Sequence, residues 1–150
     1  MSRYLVIAHQ TADSYELAEA LRQRAVNDSA AEFTLLVPIT YAGFLIGPED
    51  ADDSRVVARA RRVGTTAAWA LNEAGVNVNR VIVGDELPMI ALEEEFEDNS
   101  DYREIIFSTL PEKISRWVRD DQLTQARARF GLPVTHIICT PAGIEDLEPM

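Results

Sequence analysis

The sequence has few of the residues that mark secreted or membrane-embedded proteins. Cys139 is the only cysteine, which excludes an internal disulfide framework and suits a reducing compartment. No apolar run approaches the ~20 residues that are needed to cross a bilayer. Because Met1-Ser2-Arg3 leads directly into a strand-like segment, we expect no signal peptide. These absences predict a cytoplasmic protein.

Basic residues are also scarce, with 14 lysines and arginines against 25 aspartates and glutamates. The net charge of -11 argues against nonspecific binding to nucleic acid or to anionic membranes, because both favour basic surfaces. Hydrophobic residues make up 47% of the chain, which is typical of a globular protein. A chain of 150 residues fits one domain, and we expect that domain to cover 1–150.

Short apolar segments alternate with helical patterns along the whole chain. Five segments are short, mostly apolar and rich in β-branched residues, and they predict strands: 4–8, 33–37, 78–83, 105–107 and 134–139. Apolar residues at helical spacing predict helices from about 13, over 51–74, over 89–96 and over 110–130. This alternation predicts an α/β fold, an open five-stranded parallel sheet with helices on both faces.

Residues at the expected helix ends fit these boundaries. Asp13-Ser-Tyr-Glu16 resembles a capping box in which Asp13 is the N-cap. Pro88 is placed to open the third helix, and Gly75 and Gly131 to end the second and fourth helices.

Three stretches of the chain resemble the universal stress protein family. They are the opening strand and turn from Tyr4 to Asp13, the segment Val83-Gly84-Asp85-Glu86-Leu87-Pro88, and a closing block made of 104–109, 114–117 and 131–136. The resemblance covers nearly the whole chain and implies a Rossmann-like sheet with strand order 3-2-1-4-5. In such sheets ligands bind beyond the carboxyl ends of the strands where the strand order reverses, here the first and fourth strands.

The ATP-binding members of that family carry the motif Gly-x2-Gly-x9-Gly-Ser/Thr after the fourth strand, and its glycines let backbone amides approach the phosphates. In this chain the final Gly-Ser pair falls on Asp120-Asp121, and the earlier glycines fall within Ser108 to Pro111. The family's Asp after the first strand is also missing, and His9 or Gln10 stands near that position. The resemblance is therefore to a divergent member with a degenerate ATP motif.

The turn after the fourth strand also disfavours a triphosphate. Thr109-Leu-Pro-Glu112 resembles a capping box, whose hydroxyl and carboxylate would occupy the backbone donors that a phosphate otherwise uses. A carboxylate at Asp120 or Asp121 would add repulsion of about 3 kcal/mol at a separation of ~5 Å and an effective dielectric constant near 20. A Mg²⁺ ion that bridges the carboxylate and the phosphate would turn this repulsion into an attraction.

Basic residues in the same segment favour an anion. Lys113 is the only lysine of the chain, and Arg116 and Arg119 follow it at helical spacing. Together they could hold a carboxylate or a phosphate along one stripe of the helix. The alternative is that they are solvated charges that pair with neighbouring carboxylates.

We expect a small anionic ligand or a nucleotide, ATP among the candidates, at the carboxyl ends of the first and fourth strands. The candidate ligand-binding residues are His9, Gln10, Thr11, Ser108, Thr109, Lys113, Ser115 and Arg116. The alternative for His9-Gln10-Thr11 is a turn that hydrogen-bonds its own loop. The sequence predicts no catalytic residue and no metal ligand.

Three further features have simpler interpretations. His136 and Cys139 lie near each other in the last strand, but a lone cysteine without a CxxC pattern favours packing over a metal or a nucleophile. The run from Glu93 to Asp98 is typical of a solvated acidic helix face rather than a calcium site. The apolar segment from Tyr41 to Gly47 could be a lid, a subunit contact or part of the core.

The last strand, from Val134 to Cys139, should form an apolar edge of the sheet. Universal stress proteins commonly pair this strand across a twofold axis, so the resemblance implies a homodimer. The leading hypothesis is a non-catalytic, dimeric domain with a stress-response or regulatory role implied by the resemblance. The alternatives are an enzyme of the same fold group that processes a nucleotide's phosphate, and a protein-partner module without a ligand.

Overall fold

The computed structural model describes residues 2–8, 11–12, 14–39, 53–109 and 120–139. Strands and helices alternate along them as the sequence predicts. The elements are β1 Arg3–Ile7, α1 Tyr15–Asn27, β2 Glu32–Pro38, α2 Asp53–Glu73, β3 Val78–Gly84, α3 Pro88–Asp98, β4 Glu104–Thr109, α4 Asp120–Phe130 and β5 Val134–Ile138.

The five strands form one parallel sheet in the order β3-β2-β1-β4-β5. This order confirms the predicted 3-2-1-4-5 arrangement and the Rossmann-like fold class. β1 is central and pairs with β2 on one side and with β4 on the other. β3 and β5 are the two edges of the sheet.

Alternate side chains of β1 enter two separate cores. Tyr4 and Val6 pack with Leu17 and Leu21 of α1 and with residues of α2, while Leu5 and Ile7 pack with residues of α3 and α4. Because successive side chains of a strand point to opposite faces, a strand that is apolar on both faces needs helices on both sides. The unbroken apolar run of β1 thus explains the three-layer architecture.

The helix ends agree with the expected signals, with one correction. The N-cap of α1 is Ser14 rather than Asp13, because the Ser14 hydroxyl accepts a hydrogen bond from the backbone N–H of Leu17 at 3.1 Å. Pro88 opens α3, and Gly75 and Gly131 have positive φ angles of 93° and 68°. The expected start of the last helix at Leu110 and the capping residue Glu112 lie outside the described residues.

A charged network ties three elements together at the amino-terminal end of the sheet. Nε and Nη2 of Arg24 in α1 donate to the two oxygens of the Glu104 carboxylate of β4, at 2.8 Å each. The Thr135 hydroxyl of β5 donates to the same carboxylate at 2.5 Å. Glu104 therefore links a helix to the edge strand.

A second network closes the same end of the sheet near β3. The buried carboxylate of Glu95 in α3 accepts hydrogen bonds from Arg80 and from the Tyr102 hydroxyl, both at 2.5 Å. Arg3 lies over the Tyr102 ring at 4.8 Å and pairs with Asp101. Among the residues placed here, no helix is both long enough and apolar enough to cross a membrane.

Candidate ligand site at the carboxyl ends of β1 and β4

The carboxyl ends of β1 and β4 lie side by side at the point where the strand order reverses. From β1 the chain proceeds to α1, which packs in the core of one face, and from β4 it proceeds to α4, which packs in the core of the other. Because the helices that follow the two strands pack on opposite faces, this switch point is where an open α/β sheet usually has its ligand crevice. The predicted ligand residues lie at the end of β4 and in the two connections.

Two of those residues contact each other. The Thr11 hydroxyl, in the turn that follows β1, lies 2.5 Å from the Ser108 hydroxyl near the end of β4. Both side chains are buried, and the Thr11 carbonyl also accepts the backbone N–H of Ser14 at 3.0 Å. This contact joins the two sides of the crevice across 97 residues of sequence.

Ser108 also contacts the last strand. Its hydroxyl lies 3.3 Å from the sulfur of Cys139, and the Cys139 backbone N–H donates to the Thr109 carbonyl at 2.7 Å. Cys139 is buried beside residues of the α1 face. A continuous buried row, Thr11–Ser108–Cys139, therefore forms the floor of the crevice on that face.

Thr109 reaches the opposite face of the sheet. Its hydroxyl lies 2.6 Å from Nε2 of His136 in β5, and Thr109 is itself buried. His136 is half-buried, which agrees with the interpretation that it packs in the sheet. The hydroxyl that was expected to cap the next helix thus has a hydrogen-bond partner in the neighbouring strand.

The hydroxyl side chains at the strand ends are almost fully buried. Thr11 is 1% exposed, Ser108 0% and Thr109 3%, so these hydroxyls lie beneath the crevice surface. They order the strand ends, and their direct contact with a ligand stays a prediction. His9, Gln10, Lys113, Ser115 and Arg116 lie outside the described residues.

Cys139 is the residue of this end that the sequence did not assign to the site. A signal was available, because β5 runs parallel to β4 with Ser108 opposite Ile137 and Thr109 opposite Ile138. That register brings the residue after Ile138 next to the end of β4. Its position could have been inferred once the two strands were aligned.

Two side chains with shifted pKa values, Glu104 and Tyr102, lie at the amino-terminal end of the sheet. Burial raises the pKa of Glu104, but hydrogen bonds from Arg24 and Thr135 outweigh it, and the net pKa is lowered. Burial raises the pKa of Tyr102 to about 12, and its hydrogen bond to Glu95 adds to the shift. In the part of the chain that the structure covers, no cluster of three or more His, Cys, Asp or Glu side chains could hold a metal.

Solved structures match this arrangement over nearly the whole chain. A universal stress protein from Archaeoglobus fulgidus is 16% identical, with a TM-score of 0.56 over 91% of this chain and 93% of that one. A protein of the same family from Burkholderia pseudomallei is 19% identical, with a TM-score of 0.56 over 91% and 95%. The fold is that of the universal stress proteins.

A third match comes from a universal stress protein family protein of Arabidopsis thaliana, which was solved with AMP bound. It is 17% identical, with a TM-score of 0.52 over 99% of this chain and 96% of that one. No protein-family model matches the sequence, and no curated protein matches it either. At these sequence identities the structural similarity confirms the predicted fold and does not identify a ligand.

Proposed function

We propose that this protein is a non-catalytic, universal-stress-protein-like domain that holds a small anionic ligand or nucleotide at the carboxyl ends of β1 and β4. The observation that carries the proposal is the Thr11–Ser108 contact, which fixes the two sides of the crevice against each other. A pre-ordered crevice reduces the entropy that is lost when a ligand binds. The stress-response or regulatory role follows from the resemblance.

In this proposal, side chains in the segments that follow the two strands neutralise the charge of the ligand. In this proposal Lys113 and Arg116 bind the anionic group, Ser115 donates a hydrogen bond, and His9 and Gln10 contact the remainder of the ligand. A monophosphate suits the site better than a triphosphate, because Asp120 and Asp121 replace the family's Gly-Ser pair. The AMP-bound structure with the same fold supports a ligand of that size.

Isothermal titration calorimetry with AMP, ADP and ATP, each with and without Mg²⁺, tests this proposal. We expect AMP to bind more tightly than ATP without Mg²⁺, and Lys113→Ala with Arg116→Ala to weaken AMP at least tenfold. The matched control is Arg22→Ala, because Arg22 is an exposed arginine of α1 that pairs with Glu19. Absence of heat with all three nucleotides, together with no small molecule in native mass spectrometry, would refute ligand binding.

We also propose a homodimer that pairs through the outer edge of β5. β5 bonds to β4 on one side, and Ile138 in this strand is 53% exposed. An apolar edge of this kind is protected in stable proteins by pairing or by a cover. A twofold axis beside β5 would supply that pairing with the same strand of a second chain.

Sedimentation of Ile138→Glu tests the dimer. We expect the wild-type protein to be a dimer at micromolar concentration and Ile138→Glu to be a monomer, because the new charges would face each other across the axis. Val26→Glu is the matched control for a new surface charge, since Val26 in α1 is an apolar residue that is 78% exposed. A wild-type monomer, or equal effects of the two substitutions, would refute the interface.

A further inference from the structure

The outward side of α2 has a charge opposite to that of the whole chain. Between Ser54 and Asn72 there are four arginines and no acidic residue, although the net charge of the protein is -11. The arginines are Arg55, Arg59, Arg61 and Arg62. This basic concentration is distinct from the crevice at β1 and β4.

The inner side of α2 is occupied by core contacts. Ala60, Ala67 and Leu71 are buried against the sheet, so residues between them in the helical turn face outward. Arg61 and Arg62 are exposed, and neither forms an ion pair with a residue that the structure places. Two arginines are therefore presented side by side on the surface.

A tryptophan extends the same side of the helix. Trp69 is 68% exposed and lies seven residues after Arg62, two helical turns along the same stripe. An open groove of about 550 Å³ is lined by Arg61 and Arg62 together with apolar and hydroxyl side chains that include Val57, Ala58 and Thr65. The surface formed by Arg61, Arg62, Trp69 and this groove is called the α2 face below.

We propose that the α2 face binds an acidic, amphipathic segment of a partner protein. A single guanidinium group can bind a carboxylate through two parallel hydrogen bonds, so Arg61 and Arg62 could each bind one. Arginine and tryptophan are among the residues that dominate interface energies. The groove accepts the apolar side chains of such a segment. Nucleic acid and anionic lipid fit less well, because the rest of the protein is strongly acidic and repels an extended polyanion.

A fluorescein-labelled 16-residue peptide of Glu, Ala and Leu, with leucines at helical spacing, is the probe. Fluorescence anisotropy measures its binding to wild type, to Arg61→Gln/Arg62→Gln and to Trp69→Ala. The matched control is Arg22→Gln/Arg129→Gln, which removes two exposed arginines that already pair with Glu19 and Glu93. In a Trp117→Phe background, Trp69 is the only tryptophan and its emission reports contact directly.

We expect the arginine pair variant and Trp69→Ala each to weaken binding at least tenfold, while the control changes it less than twofold. Binding should also weaken as salt is raised, and Trp69 emission should shift to the blue. No binding of the peptide, equal binding of a version with every Glu replaced by Gln, or tighter binding to duplex DNA or phosphatidylserine vesicles would overturn the proposal. Self-association that the arginine pair variant abolishes would assign the face to a second copy and would also overturn it.

Discussion

Replacing Glu104 by glutamine removes one charge from the network at the amino-terminal end of the sheet with little change in shape. The Glu104 side chain is 14% exposed and that of Arg24 is 23% exposed, so water screens their attraction only in part. The substitution leaves Arg24 without its carboxylate and weakens the hydrogen bond from Thr135. We therefore expect Glu104→Gln to destabilise the protein.

The magnitude follows from the geometry of the pair. Opposite unit charges about 4 Å apart attract by about 4 kcal/mol at an effective dielectric constant near 20. The cost of removing the carboxylate from water offsets roughly half of this attraction, and the remaining ~2 kcal/mol agrees with the about 1.5–3 kcal/mol that is typical of a hydrogen bond to a charged group. The expected loss is about 2 kcal/mol, or about 4–8 °C in the melting temperature of a domain this long.

The pH dependence has a definite sign. Arg24 and Thr135 lower the pKa of Glu104 below its ordinary value of 4.5 in spite of burial. The stabilisation is therefore present above that value and is lost as the pH falls through the lower pKa of the folded state. Between pH 7 and pH 3 the wild-type protein should lose more stability than Glu104→Gln does.

Urea unfolding followed by circular dichroism measures both effects. Glu19→Gln is the matched control, because Glu19 pairs with Arg22 on the exposed side of α1 and should contribute less than 0.5 kcal/mol by the usual strength of such pairs. If Glu104→Gln costs no more than Glu19→Gln, or if the two variants have the same pH profile, the reasoning about the network is wrong.

Two further predictions concern the core. Tyr102→Phe should remove a tyrosine absorbance change near pH 12, because burial raises the pKa of Tyr102 to about 12. The protonated Tyr102 hydroxyl stabilises the wild-type fold fully below pH 10, and this stabilisation should disappear as the pH rises from 10 through 12. Gly64→Ala should destabilise by about 1–2 kcal/mol in urea unfolding, since the new Cβ would lie 2.5 Å from Val81 and 3.0 Å from Val37. Val81→Ala should rescue Gly64→Ala, and an additive double variant would contradict this steric explanation.

The architecture was predictable because its signals are local. An apolar run such as the one at Leu35 and Leu36 has no polar side to leave in water, so it indicates a strand that is covered on both faces. The left-handed termini at Gly75 and Gly131 follow from conformational freedom that other residues lack. The strand order is a property of the whole chain, and only the resemblance implied it.

The errors and omissions have equally physical causes. Asp13 and Ser14 are both good N-cap residues, and composition alone does not decide which side chain reaches the N–H three residues on. The Arg24–Glu104 and Thr11–Ser108 contacts join residues that are 80 and 97 positions apart. No periodicity in the sequence encodes such pairs, so the networks at both ends of the sheet are visible only in the folded structure.

The two ends of the sheet combine different chemistry, and this makes stability and ligand binding separable. At the amino-terminal end charged groups hold α1, β4 and β5 together through Glu104. At the carboxyl end hydroxyl groups order the strand ends through the contacts Thr11–Ser108, Ser108–Cys139 and Thr109–His136. Because the proposal assigns Lys113 to the ligand and not to either network, Lys113→Ala should weaken AMP binding with little effect on the urea midpoint. Glu104→Gln should do the reverse, and a variant of either kind that changed both properties equally would show that the two ends are coupled.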